Sequence, residues 1–262
     1  MLVLLPPSEG KAEGFGGPPL DLGGLSLPGL TPARETVLAE LVDLCSGDPE
    51  KARGVLGLSE RQAGEITKNA ALRTAPARPA GEIYTGVLYD ALGLATLGTA
   101  ARERAGRALL VFSGLWGAVR VSDLIPSYRC PVGTRLPGTG GLAGLWRPVM
   151  AEVLPEAAGS GLVLDLRSAA YAGMWKPKGG PAERTVTVRV LQAKVVDGTE
   201  RRSVVSHFNK ATKGRIVRAL LESGAQPRSA TGLADVLRDL GHTVEMPDDA
   251  GPRRLDVIVR EL

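Results

Sequence analysis

The sequence predicts a mixed α/β fold, and three patterns in it predict that class. Residues 1–5 and 108–113 are short unbroken apolar runs, the form of a strand buried on both faces. Residues 162–168 repeat that form and end in a polar cluster, Asp165, Arg167 and Ser168. Residues 185–195 alternate instead, as a half-exposed strand does. Stretches between these runs carry apolar residues at helical spacing, and strands mixed with helices in this way make an α/β or α+β domain. No internal repeat and no domain boundary is visible in the 262 residues. The expectation is one compact domain around a central mixed sheet.

The elements follow in order. Pro6 and Pro7 stop the first strand, and a Gly- and Pro-rich stretch over 6–31 reads as a long surface loop. Thr31 and Pro32 open a helix carrying Val37, Leu38, Leu41, Val42 and Leu44, which Gly47 and Pro49 end. A second helix covers about 50–56. A turn at Gly57 to Glu60 follows, and Ser59 caps a third helix to about 70. Residues 73–81 form a Pro-rich linker, and 82–106 read as helix interrupted at Gly86. After the 185–195 strand come a short strand over 202–205, a helix from Ser206 to about 222, a helix over 231–240, and strands near 242–246 and 255–261.

Composition excludes several classes. Hydrophobic residues are 44% and charged residues 23%, an ordinary globular balance. Aromatics are only 4%, so Leu, Val and Ala must build the core. No apolar run approaches the roughly 18–20 residues of a membrane span, and no membrane partner is expected. Cys45 and Cys130 stand far apart without a Cys-x-x-Cys or Cys/His cluster, so no zinc site is expected. Two lone thiols and an N-terminus without a basic leader fit the cytoplasm. No ligand set for iron and no cofactor motif is apparent. The net charge of +4 weakly favours an anionic partner.

Five constellations could carry chemistry. Ser8 and Lys11 follow the first strand, where α/β sheets place ligands; the plain alternative is a turn leaving the sheet. Tyr84 with Tyr89 could stack bases, or pack an aromatic face into the core. The densest group is Ser113, Gly114, Trp116, Gly117 and Arg120, then Asp123, Tyr128, Arg129 and Arg135. Its glycines allow close approach to a ligand and its arginines suit carboxylate or phosphate; a capped turn with salt bridges is the alternative. Asp165, Arg167, Ser168, Tyr171 and Lys176 read as a structural ion pair or a catalytic acid. Last, residues 201–218 hold six Lys/Arg and no acid. A helix starting at Ser206 would put His207, Lys210, Gly214 and Arg218 on one arc, an anion site at a helix start with Gly214 leaving room for phosphate or backbone. A solvated basic face is the alternative, and His207 beside Lys210 could act as a base.

In this order the motifs resemble the YaaA family of bacterial peroxide-stress proteins. The resemblance rests on Ser8 and Lys11, Tyr84-Thr85-Gly86, and Ser113 to Gly117. It continues through Asp123 to Arg129 with Gly133-Thr134, Leu164 to Ser168, and Val205 to Lys210 with Lys213-Gly214. It implies a positively charged cleft, a helix-hairpin-helix element and binding to duplex or structured DNA, in the service of limiting damage from peroxide and iron. The candidate hairpin is 50–70, with Lys51, Arg53, Arg61 and Lys68.

Two functions therefore stand. As a DNA-binding stress protein, the chain would hold phosphates without reading bases, through its basic residues and the hairpin amides. The candidate contacts are Ser8, Lys11, Tyr84, Ser113, Trp116, Arg120, Arg129, Arg135, Ser168, Ser206, His207, Asn209, Lys210 and Lys213. As an enzyme on a small anionic nucleotide- or nucleobase-like substrate, bearing phosphate or carboxylate, it would use Lys11, Asp123, Asp165 and His207 as catalytic residues. Strand exits after residues 5, 113 and 168 should line one cleft, into which the helix from Ser206 points.

Overall fold

The computed structural model describes residues 1–13, 16–196, 198–204, 206–247 and 253–260, without the side chains of 196 and 206–208. Eight strands form the main sheet: β1 (Leu2–Leu5), β2 (Leu109–Ser113), β3 (Gly117–Arg120), β4 (Val163–Asp165), β5 (Thr185–Val196), β6 (Thr199–Ser203), β7 (Thr243–Glu245) and β8 (Arg254–Val259). Their order is β7-β8-β5-β4-β1-β2-β3, with β6 paired to β5. The five inner strands from β8 to β2 are parallel. β3, β6 and β7 are antiparallel to their neighbours. The mixed α/β class is as the apolar runs predict, with one large hydrophobic core and a small second cluster of Leu191, Ala193 and Ile258.

β1 is the centre. Leu2 to Leu5 are each exposed by 3% or less, so both faces are covered. Register places Leu5 beside Val111 of β2 and Leu4 beside Asp165 of β4. The carboxyl ends of β1, β2 and β4 therefore lie along one edge.

The helices fall into two packed groups. The first contains α1 (Thr31–Ser46), α2 (Pro49–Leu56) and α3 (Gly64–Ala70), followed later in the chain by a fourth, Leu142–Ala158. The second contains Val87–Leu92, Thr99–Ala108 and Ser206–Ser223. Ala230–Asp239 packs on β7 and β8. The expected helix over 82–106 is broken into Ala80–Ile83, Val87–Leu92 and Thr99–Ala108: Gly86, at a φ of 94°, precedes the second segment as its N-cap, and Gly93 ends it.

Two elements escape the sequence patterns. Leu142–Ala158 contains Pro148 and Pro155, residues that normally disrupt a helix interior. Its buried residues Leu142, Trp146, Met150, Leu154 and Ala158 recur every fourth position and hold it in the core. β3 lies inside the stretch read above as a ligand loop. Ser113 to Gly117 is a hairpin, closed by the Leu115 and Trp116 amides donating to Ser113 Oγ at 3.2 and 2.9 Å.

Arg34, on α1, is fully buried. Its guanidinium donates to the carbonyls of Ser26, Trp116 and Ala118 at 2.8, 3.0 and 2.7 Å. Asp123 accepts from the Ser26 hydroxyl at 2.7 Å and from the Arg120 amide at 2.9 Å. Burial lowers the Arg34 pKa to about 10, against the opposing pull of Asp123. This clasp ties the loop before α1 to β3. Replacing Arg34 by Leu strands the carbonyls of Ser26, Trp116 and Ala118, at a cost of about 3–5 kcal/mol, the scale for breaking a buried charged network. Urea unfolding of the variant checks this; a midpoint equal to that of the unmutated protein contradicts the clasp.

Candidate functional site

The edge formed by the exits of β1, β2 and β4 gathers an uncommon set of polar groups. After β1, Pro6 to Ala12 turns back and docks on residues 83–85. Ala12 donates to the Ile83 carbonyl, and the Thr85 amide donates to Ser8 Oγ at 3.1 Å. Lys11 bridges to Tyr84 there. Its Nζ donates to the Ser8 carbonyl at 2.9 Å and stands 4.4 Å from the Tyr128 ring centre and 5.6 Å from that of Tyr84. Desolvation dominates its ionisation and lowers its pKa to about 8, with Glu9 pulling up and Arg129 pushing down.

Tyr128 is the hub beside it. Its hydroxyl lies 2.6 Å from Ser113 Oγ and 2.8 Å from the Tyr84 hydroxyl. Burial raises the pKa values of Tyr84, Tyr89, Tyr128 and Tyr171, so all four remain protonated donors near neutrality. Arg129 pairs with Glu9 at 3.2 Å, and its backbone is held on both sides by the Asn69 amide at 2.8 and 2.9 Å. After β4, Arg167 grips Asp165 through contacts of 2.9 and 2.6 Å and covers the Phe112 ring at 4.3 Å. From the basic helix, Lys213 reaches the Leu166 carbonyl at 3.4 Å, and burial lowers its pKa against the pull of Asp165.

The structure thus brings Ser8, Lys11, Tyr84, Ser113 and Arg129 together, with Lys213 at the neighbouring exit. Other candidates are engaged elsewhere. Asp123 and Arg120 belong to the Arg34 clasp and the β3 turn, and Arg120 also donates to the Arg107 carbonyl. Asp165 has both oxygens on Arg167, the arrangement of a structural pair. Trp116 is fully buried and meets Tyr128 edge-on. Tyr84 and Tyr89 stack on each other at 5.5 Å and are 2% and 6% exposed, so neither offers a face to a base. Arg135, Ser168 and Lys210 are exposed, Arg135 on a short ladder with Gly141 and Ser168 as the cap of Ala169–Ala172. Asn209 Oδ1 is buried without a hydrogen-bond partner among the described residues. The side chains of Ser206 and His207 lie outside the described residues.

The glycines expected to admit a ligand admit backbone. A Cβ on Gly114 would sit 2.3 Å from the Cys130 carbonyl oxygen, and one on Gly214 would sit 2.2 Å from that of Leu88. In the 50–70 hairpin, Gly57 and Leu58 donate to Gly54 and Arg53, and the Ser59 amide donates to Gln62. These three amides close the helix end and the next cap, so they are not free for phosphate. Arg53 pairs with Glu50, and Lys68 with Glu13 and Glu65.

Asn69, which positions the Arg129 backbone, stands in none of the five constellations, and the hub residue Tyr128 was not among the candidate contacts. Tyr128 stood in the dense third group, but nothing in that stretch shows that its hydroxyl joins Ser113 at the end of β2 to Tyr84 after the helix Ala80–Ile83.

A mixed sheet with a polar, tyrosine-lined cluster at its carboxyl edge and a basic helix beside it defines an α/β protein. The comparisons give the family. The model for peroxide stress protein YaaA matches residues 1–245, and the chain belongs to that family. It is 66% identical to a UPF0246 protein of Streptomyces coelicolor over the whole of both chains. It is also 44% identical to one of Corynebacterium efficiens, over 94% of this chain and 95% of the relative. Among the described residues no helix is long and apolar enough to cross a membrane.

The cysteines take no part in this edge as nucleophiles. Both are buried, and burial pushes the Cys130 thiol up to about 12 despite the nearby Lys11. Its thiolate fraction at pH 7 is on the order of 10⁻⁵. Native protein should therefore react with a thiol reagent such as dithionitrobenzoate only as fast as it unfolds. Rapid labelling of Cys130 in native buffer contradicts this.

Proposed function

We propose that this protein serves the peroxide-stress response by binding duplex or structured DNA through phosphates, without reading sequence, and so helps limit peroxide and iron damage. The observation that carries this reading is a like-charge pair. On the β5–β6 hairpin, Lys194 and Arg201 are directly opposite each other, a placement that costs stability unless an anion lies over it. The chain continues from this hairpin into the helix carrying Lys210, Lys213 and Arg215. Among the described residues none of these three forms an ion pair, whereas Arg202 and Arg218 pair with Glu200, Glu245 and Glu222. The hairpin, the helix start and Lys213 at the sheet edge form the proposed basic surface. The 50–70 element contributes at most its remaining cations, Lys51 and Arg61.

A second reading, an enzyme acting on a small anionic substrate, is favoured by depth. Tyr84, Ser113 and Tyr128 are 0–2% exposed, which suits a small molecule and not a duplex backbone.

DNA affinity should be independent of sequence and fall steeply with salt. Each phosphate neutralised contributes about 0.9 to the slope of log K against log salt. Replacing Lys194 and Arg201 by Ala together should reduce that slope by about 2. Fluorescence anisotropy on two unrelated duplexes measures it; a flat salt response, or binding to one sequence alone, overturns the DNA reading.

A further inference from the structure

The β5–β6 hairpin reaches past the sheet that carries it. β4 pairs with β5 only as far as Thr187, and β8 only as far as Gln192. From Ala193 to Val196 the sheet is therefore two strands wide, and among the described residues β6 pairs with β5 alone. At about 3.3 Å per residue, that stretch carries the ribbon about 13 Å beyond its neighbours. Lys194, Val195 and residues 198–204 are exposed, as a projecting arm requires.

The two faces of the ribbon differ in charge. Directly paired residues share a face, and the faces alternate along a strand. The back holds Ala193 with Arg202 and Val195 with Glu200; the front holds Gln192 with Ser203 and Lys194 with Arg201. Ion pairs lie on the back. Arg202 meets Glu200 at 2.9 Å and Glu245 of β7 at 2.6 Å, and Arg260 meets Glu200 at 3.3 Å. These contacts brace the arm against the strands behind it. The front has two cations and the polar Gln192, Thr199 and Ser203, with no carboxylate. Among the described residues neither Lys194 nor Arg201 forms an ion pair.

Size decides what such an arm fits. The major groove of duplex DNA, about 12 Å wide and about 8.5 Å deep, admits a two-stranded ribbon, and the minor groove, about 6 Å wide, does not. The arm is longer than the major groove is deep, so it can reach the floor while its root stays at the phosphates.

We propose that this braced ribbon enters the major groove of duplex DNA and lays its Lys194–Arg201 face against the phosphates of one wall. The inference rests on the DNA reading and names the element and the groove that would serve it. Contact with a wall of phosphates, and not with base edges, keeps the binding independent of sequence.

The test compares two duplexes of one sequence and length, one with cytosine and one with glucosylated 5-hydroxymethylcytosine, whose sugar occupies the major groove. Fluorescence anisotropy with the full-length protein should give binding to the glucosylated duplex weaker by about tenfold or more, the loss of at least one charge-assisted bond. Replacing Lys194 and Arg201 by Ala together should remove most of that difference. Both side chains are exposed, so the double variant should melt with the unmutated protein. Netropsin, which occupies the minor groove of an A·T tract in either duplex, should leave the affinity unchanged. Equal affinity for the two duplexes, or displacement by netropsin, overturns groove entry, while a steep salt dependence preserves the DNA reading. Absence of salt-dependent binding to both duplexes overturns that reading and this inference with it.

Discussion

Everything at this edge depends on β1 being paired on both sides by parallel strands and covered on both faces. A strand in that position has no solvent side, so its side chains must be apolar from end to end. Polar residues can only follow it. Because β2 and β4 run parallel to it, their polar residues emerge along the same edge. Pro6 to Lys11, Ser113, and the Asp165–Arg167 segment are thus delivered to one place by strand direction alone. The basic helix, through Lys213, and Asn69 of α3, which holds the Arg129 backbone, then close over what the strands present.

Burying polar residues this close to the core makes pairing obligatory. Arg34 with the Trp116 and Ala118 carbonyls, Asp165 with Arg167, and Asn69 with the Arg129 backbone each satisfy that need. The first of these holds the long loop before α1 against β3. The second lays a guanidinium between Phe112 and Trp175 and so joins the ends of β2 and β4. These pairs consume most of the carboxylates that might otherwise serve acid–base chemistry. What they leave at the edge is a surplus of donors: tyrosine hydroxyls held protonated by burial, and two lysines whose charge burial disfavours.

In the proposed DNA reading, the exposed cations of the hairpin and helix would meet a polyanion, for which charge and not shape sets affinity. The hydroxyls of Tyr84, Ser113 and Tyr128 lie deeper, 0–2% exposed. A family named for peroxide stress could also be expected to use its thiols, but Cys45 and Cys130 are core side chains, and a protonated thiol is a weak nucleophile. Any protective chemistry of this chain is therefore carried by binding surfaces or by other groups.

From its sequence alone, this protein's fold class, its central strand, most of its helices and its family were determined, because period and apolar continuity are local properties of the chain. The helix containing Pro148 and Pro155 was not, since its stability comes from Trp146 and Met150 packing against distant elements. The polar clusters were legible as clusters: Ser8, Lys11, Ser113, Arg129 and Lys213 do converge on the sheet edge. Which of them are committed to structure was decided only in three dimensions. Asp123 looks the same in sequence whether its partner is a substrate or Ser26, and Gly214 the same whether it admits a phosphate or Leu88. Partners such as these are 97 and 126 residues apart in the chain, and pairing at that range is set by strand order and helix packing, which no local pattern encodes.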